Sequence, residues 1–339
     1  MRSLINHALR TSAVPAPKDD AIAFHQTLSE YASTPVHQLD AIASELGVAG
    51  LGVKDESIRL GLPAFKILGA SWAVERALRE QPDVRTLVAG SAGNHGRAVA
   101  HAAARRELAC RIFLPQRSLA VRRRAITDEG AEVIVVDGTY QDAVDAAARA
   151  AMDDGTALIA DVGETGPPEW VIDGYATLFA EAARQAVYDL ILVPVGVGSL
   201  AAAAARHGAQ VGATVIGVEP ATAACLTASL TQGRPTPVPT PGTTMAGLDC
   251  AEVSPAAWPS LQRGIAGTIT ISDAEADAAV RELTTYGLAI GESGAAPLAG
   301  LRALQNDDDC RALREHLAIN PRTRVLLIAT EGLTGTRAR

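Results

Sequence analysis

Lys18, Lys54 and Lys66 are the only lysines among the 30 basic residues of the chain. Where basic positions have drifted to arginine, a retained lysine points to a task that guanidinium cannot perform. Forming a Schiff base through a free amine is one such task. Lys18 lies in a Pro/Asp-rich stretch and reads as a surface charge. Lys66 lies in "VKDESIRLGLPAFKILGASWAVERAL", between Phe65 and Ile67. Pro63 is a good helix-start residue, and Phe65, Leu68, Gly69, Trp72 and Val74 predict a largely apolar helix to about Arg79 with Lys66 in its first turn. Apolar neighbours desolvate an ammonium, lower its pKa and favour the free amine. On local sequence alone, a snorkelling surface lysine is the competing reading.

Glycine-rich loops supply the second kind of chemistry. "ILVPVGVGSLAAAAARHG" (191–208) holds G-x-G-x-x-A at Gly196, Gly198 and Ala201, between an apolar run and an alanine-rich helix. Such a loop presents backbone N–H groups to a phosphate. "TVIGVEP" ends on Glu219, near the spacing of a ribose-holding acid, so a dinucleotide and another phosphate-bearing cofactor both remain open. "LVAGSAGNHGRAVA" (87–100) enters a helix through Ser91-Ala92-Gly93-Asn94-His95-Gly96, suited to a carboxylate or a phosphate. "AIGESGAAPLAG" (289–300) and "LLIATEGLTG" (326–335) add a loop before a helix and a loop after a strand. In open α/β sheets the site lies at the carboxyl ends of the strands, where such loops sit.

The elements that must position these loops alternate. "TLVAG" (86–90), "CRIFLP" (110–115), "AEVIVVDG" (131–138) and "ALIADV" (157–162) read as buried strands separated by helical stretches. "LILVPVG", "TVIGVEP", "TITIS" and "RVLLIAT" resume the series. Strand–helix repetition of this kind predicts parallel sheets with right-handed crossovers. The Gly/Pro break "GETGPPEW" (163–170) divides two α/β domains, the smaller over roughly 70–165, and "TQGRPTPVPTPGTTMAG" (231–247) must be a loop.

The bulk numbers narrow the function class. With 339 residues, 48% of them hydrophobic, the chain can pack one or two domains. A net charge of −8 and 4% aromatic content argue against nucleic-acid binding, and Arg122–Arg124 reads as a solvated helix face. The four cysteines form no C-x-x-C pair, so neither structural zinc nor a disulfide framework is expected, and no metal site is predicted. No apolar run reaches the roughly 18 residues that would cross a bilayer, and the first residues lack a signal-peptide pattern. A cytoplasmic protein with no membrane partner is expected.

Taken in order, these motifs resemble the fold type II enzymes that use pyridoxal 5'-phosphate (PLP), the superfamily of tryptophan synthase β, threonine dehydratase and cysteine synthase. More closely, the chain resembles the diaminopropionate ammonia-lyases. The matching stretches include "FHQTLSEYASTPV" (24–36), "VKDESIRLGLPAFKILGASWA" (53–73), "GNHGRAVAHAA" (93–103), "PEWVIDGYATLFAEA" (168–182), "VPVGVGSLA" (193–201), "VEPATAACL" (218–226), "TTMAGLDC" (243–250), "GESGA" (291–295) and "ATEG" (329–332). The resemblance implies an α/β fold of two domains, each a mainly parallel twisted sheet flanked by helices, with the active site in the interdomain cleft. The large PLP-binding domain would be 1–69 and 166–339, and the small domain 70–165.

The resemblance also implies roles. Lys66 would hold PLP as a Schiff base and take the α-proton. Asn94 would contact the pyridine 3-hydroxyl, Gly196, Val197, Gly198, Ser199 and Leu200 would cradle the phosphate, and Thr330 would face the pyridine nitrogen. Ser91, Gly93 and His95 would lie near the substrate carboxylate, and Asp161 would match a second acidic position that binds the distal amine. Glu219 would then merely end a strand. The expected reaction is β-elimination from 2,3-diaminopropionate to pyruvate and ammonia, by a homodimer acting on a small amino acid. One departure stands out: the family has an aspartate, assigned as the base for the D-isomer, where this chain has Ala92, which implies selectivity for the L-isomer. A serine/threonine dehydratase and a β-replacement synthase of the same fold are the alternatives, and an NAD(P)-dependent oxidoreductase using Gly196 to Glu219 is the remote one.

Overall fold

The computed structural model describes residues 1–91 and 93–333. Among the described residues the chain forms two compact units, one of 1–65 with 175–333 and the other of Lys66–Gly174. The chain enters the smaller unit at the start of the helix Lys66–Glu80 and leaves it inside the helix Pro167–Gln185. These edges differ from 70 and 165 because helices, rather than the Gly/Pro break at 163–170, carry the chain between the units.

In chain order the strands are β1 (Ser3–Ile5), β2 (Val36–Gln38), β3 (Gly50–Asp55), β4 (Thr86–Gly90), β5 (Ala109–Pro115), β6 (Glu132–Val136), β7 (Thr156–Leu158), β8 (Leu190–Pro194), β9 (Thr214–Pro220), β10 (Gly267–Ile271) and β11 (Arg324–Ala329). In the larger unit they are ordered β1-β10-β9-β8-β11-β3-β2. The five inner strands are parallel, and the two short outer strands run antiparallel to their neighbours. Continuous apolar runs such as "LILVP" and "GTITI" suit strands covered on both faces, and every residue of β8 and β10 is buried. Three-residue edges expose little unpaired backbone. Such short strands carry too little alternation to be read from sequence, and neither β1 nor β2 was anticipated. The helix Glu292–Asn306 lies in this core, burying Ala295, Leu298 and Leu301 with Leu192, Val218 and Leu327.

The smaller unit carries a parallel sheet in the order β6-β5-β4-β7. Val88 and Phe113 pack there with Ala143 and Ala147 of the helix Tyr140–Ala150. The strand expected over 157–162 ends at Leu158. The Ile159 amide still donates to the Val88 carbonyl at 2.9 Å, and the chain then leaves the sheet toward Asp161. Among the described residues no helix is long and apolar enough to cross a membrane.

The helix carrying Lys66 begins at Lys66 itself rather than near Pro63. Arg59 and Leu62 exchange backbone hydrogen bonds of 2.8 and 2.9 Å around a tight turn. Leu60 (φ +48°) and Gly61 (φ +82°) form that turn, and the left-handed region costs a leucine about 1–2 kcal/mol. The Gly332 amide then donates to the Pro63 carbonyl, and the Phe65 amide to the Thr330 carbonyl, both at 3.1 Å. Pro63 through Phe65 is therefore extended against the segment after β11, and helical geometry starts one residue later.

Candidate active site

In the smaller unit, β4 and β7 are adjacent and parallel, so their carboxyl ends bring Ser91, His95 and Asp161 to one place. The helix Asn94–Ala104 starts there, with Gly93 as its cap and no capping side chain. Asn94 is partly exposed, Ser91 is buried, and the Gly93 amide makes a long 3.4 Å contact with Ser91 Oγ. Lys66 Nζ donates to Asp161 Oδ2 at 3.1 Å, with side chains 19% and 13% exposed. His95 is buried, its Nε2 is 2.8 Å from the Ile159 carbonyl, and its Nδ1 lies 3.9 Å from Asp161 Oδ2. Lys66, His95 and Asp161 thus form one cluster. Ala92 lies outside the described residues.

Burial acts to raise the Asp161 carboxyl, but the positive charges of His95, when protonated, and of Lys66 outweigh it and hold the group below the ordinary carboxylate range. Burial also pushes His95 below the usual histidine range, against the pull of Asp161. The ring is therefore uncharged near pH 7, and Lys66 is the cation that keeps Asp161 ionised.

In the larger unit, β8 and β11 are likewise adjacent and parallel. The loop after β8 turns through Gly198 at φ +88° into the helix Ser199–Val211, which no side chain caps. Helix geometry leaves the first N–H groups without carbonyl partners inside the helix. At Gly196 an added Cβ would meet the Gly247 carbonyl oxygen at 2.9 Å and Cys250 Sγ at 3.0 Å. The proline-rich stretch, as expected, forms no regular element from 234 to 257 and packs here, held by the Gly247 amide on Ser293 Oγ. Thr330 is buried directly after β11, and its carbonyl is the acceptor for Phe65.

Glu219 does more than end a strand. Its buried carboxylate accepts from the Leu226 amide (2.7 Å), the Thr227 amide (2.9 Å) and Thr227 Oγ1 (2.6 Å), closing the start of the helix Cys225–Gln232. Burial, partly opposed by these donors, lifts its pKa to about 7. Committed in this way, it is not poised to hold a ribose.

A buried charge network in the larger unit was not anticipated either. Lys54 and Arg59 are fully buried against Glu56 and Glu181. Glu181 accepts from Tyr31 Oη (2.8 Å), the Thr34 amide (3.3 Å), Lys54 Nζ (2.7 Å) and both terminal nitrogens of Arg59 (2.9 and 2.7 Å). Only the scarcity of lysine marked Lys54 in the sequence.

These residues fit a phosphate-bearing aldehyde cofactor. Gly196 must stay bare because a Cβ there would strike the Gly247 carbonyl, and the left-handed Gly198 leads into a helix start that no side chain caps, where backbone N–H groups suit an anion. Lys66 is accessible enough to form a covalent bond, whereas Lys54 is not.

Comparison with known proteins agrees. The family described as pyridoxal-phosphate dependent enzyme matches residues 28–331. The diaminopropionate ammonia-lyase of Salmonella typhimurium is 34% identical, covering 93% of this chain and 89% of that protein. The biosynthetic L-threonine dehydratase of the same organism is 30% identical, over 79% of this chain and 52% of its own length. A crystal structure of Escherichia coli diaminopropionate ammonia-lyase, in complex with a PLP reaction intermediate, superposes with a TM-score of 0.90 at 33% identity, covering 98% of this chain and 94% of that one. The chain belongs to the fold type II PLP-dependent enzymes and, within them, to the diaminopropionate ammonia-lyases: it is a PLP-dependent ammonia-lyase.

Proposed function

We propose that this lyase converts 2,3-diaminopropionate to pyruvate and two molecules of ammonia, with the L-isomer preferred. The observation that carries this reading is the partly exposed Lys66 amine held 3.1 Å from Asp161 beside buried His95. Lys66 holds the cofactor and, once released from it, takes the α-proton. PLP, when bound, supplies an electron sink for the α-carbon. Gly196, Val197, Gly198, Ser199 and Leu200 hold the phosphate through the cradle and helix start, Asn94 meets the ring hydroxyl, and the neutral Thr330 hydroxyl meets the ring nitrogen. Ser91, Gly93 and His95 line the substrate's place. Asp161 loses the Lys66 ammonium when that amine carries the cofactor, and a cationic substrate group replaces it. The relatives named for diaminopropionate support this substrate, and the homodimer and cytoplasmic location are part of the same proposal.

The test is a visible absorption spectrum of the PLP-loaded protein before and after L-2,3-diaminopropionate, with pyruvate assayed in the same cuvette. A cofactor band that shifts as pyruvate appears is the expected result. A band with pyruvate formed only from L-serine would assign a dehydratase, as the threonine dehydratase relative allows. Selectivity rests on Ala92, whose methyl cannot take a proton. Ala92→Asp is expected to raise turnover of D-2,3-diaminopropionate, and unchanged D-turnover in a folded, PLP-loaded variant would remove that account.

A further inference from the structure

Three non-glycine residues among those described have left-handed backbone: Leu60 (φ +48°), Glu107 (φ +55°) and Ala318 (φ +50°). Glu107 and Ala318 are exposed and lie just past the helices Asn94–Ala104 and Arg311–His316, where a chain commonly turns this way. Leu60 is different. It is 8% exposed and takes the first place of a two-residue turn whose second is Gly61. With φ positive at both places, such a turn suits Asn-Gly, because asparagine tolerates the left-handed region better than leucine. A strained residue persists only where its surroundings fix it, and such residues cluster at sites of function. Here both flanks are fixed. Arg59, 1% exposed, donates to Glu56 (2.7 Å), Glu181 (2.9 and 2.7 Å) and Thr34 (2.9 Å). The Glu56 amide donates to the Ala329 carbonyl at 2.8 Å, and the Phe65 amide to the Thr330 carbonyl at 3.1 Å. The loop from Glu56 to Phe65 therefore starts and ends on consecutive residues, and the Leu60–Gly61 turn closes it.

Resting on Lys66 as the cofactor's anchor in the function proposed above, we infer that Leu60 is a positioning residue for the Lys66 amine. Lys66 follows Phe65 directly and is the first residue of its helix. The length of the loop sets where Phe65 meets Thr330, and hence the point from which the Lys66 side chain starts. A turn with a buried leucine at its first place gives the loop one length. Glycine or asparagine would suit the backbone better but would leave the turn unanchored. The strain therefore accompanies a fixed starting point for an amine with two tasks in sequence, holding the cofactor and then taking the α-proton. A misplacement of about 1 Å can slow such a transfer about a hundredfold.

The test compares PLP-loaded wild type with Leu60→Met, Leu60→Ala and Leu60→Gly. Peptide mapping after borohydride reduction first shows which lysine carries the cofactor. Visible circular dichroism of the cofactor band then reports, without turnover, how firmly the anchored ring is held. The band per bound cofactor and kcat should both fall in the order Met, Ala, Gly. The conservative Leu60→Met should retain most of both, and Leu60→Gly should lose about tenfold or more in kcat. With α-deuterated L-2,3-diaminopropionate, the isotope effect on kcat/KM should be larger in Leu60→Gly than in wild type, because proton transfer has slowed. Urea midpoints should rank the other way, Leu60→Gly above Leu60→Ala, since glycine relieves the left-handed strain that alanine keeps. A role confined to packing would make activity and stability rank alike. That agreement, or a wild-type band and isotope effect in Leu60→Gly, overturns the inference. Should Leu60→Gly not fold, the band and isotope effect of Leu60→Ala decide in the same way. Cofactor on another lysine would bring down this role together with the Lys66 assignment, whereas cofactor on Lys66 with unaltered variants would bring down this role alone. If diaminopropionate gives no pyruvate, the proposed function fails while the circular dichroism still judges the turn.

Discussion

Two lysine–carboxylate pairs in this molecule look alike in a contact list and differ in kind. Lys54 and Glu181, in the larger unit, are 2.7 Å apart with side chains 0% and 3% exposed, and Glu181 is saturated by donors from Tyr31, Thr34 and Arg59 as well. Lys66 and Asp161, in the smaller unit, are 3.1 Å apart and partly exposed, and beside them the buried His95 Nδ1 has no hydrogen-bond partner among the described residues. A carboxylate with every lone pair occupied cannot release its lysine without leaving a charge buried. The Lys66–Asp161 pair keeps both side chains in partial contact with solvent, so its cation can be exchanged for another. Satisfaction of the partners, rather than the ion pair itself, separates a structural lysine from a chemical one.

The largest way to break this contrast is to remove each lysine's function in turn. Lys66→Ala should abolish pyruvate formation, by about a thousandfold or more, since nucleophile and base are lost together. Covalent cofactor attachment, read by mass spectrometry after borohydride reduction, should vanish with it. Retained attachment would shift the chemistry to another amine.

Stability should show the opposite ranking. Glu181→Gln leaves Lys54 and Arg59 short of a buried counter-charge and should cost about 3–5 kcal/mol in urea unfolding. Asp161→Asn, in the partly exposed pair, should change unfolding by no more than about 1 kcal/mol. Equal losses in the two variants would collapse the distinction.

Acid should separate the regions more gently. Burial works to raise the Glu181 carboxyl, but Arg59 and Lys54 hold it down at about 2. A depressed carboxylate contributes stability above its unfolded pKa, near 4.3, and loses it as pH falls toward 2. His207, whose Nε2 lies 2.8 Å from Tyr188 Oη, is pushed down to about 4 by burial. Its neutral form contributes stability above about 6.5, lost as pH falls toward 4. Urea midpoints should therefore begin to fall below about pH 6.5 through His207 and continue to fall below about pH 4.3 through Glu181. In Glu181→Gln the second part of that decline should flatten while the first remains.

Much of this was legible because it is local. The glycine loop proposed to hold the phosphate stands out as Gly196, Gly198 and Ala201 between a strand and a helix, and the loop from Ser91 to Gly96 stands out in the same manner after a strand. Other features escaped because their causes lie far away in the chain. Pro63 suggested a helix start, yet backbone partners at Thr330 and Gly332 hold the chain extended to Phe65. Glu219 looked idle until Leu226 and Thr227 were folded back onto it.

The sequence by itself determined the alternating α/β architecture, the glycine loops at strand ends and the short supply of amines, because each depends on residues within one element or one turn. Which amine is locked and which is available was decided only by tertiary structure. Lys54 meets Glu181 across 127 positions, and Lys66 meets Asp161 across 95. The proton on His95 is placed by a carbonyl 64 positions away. Burial and hydrogen-bond partners fix the chemistry of an ionisable group, and at these separations only the packed fold assigns both.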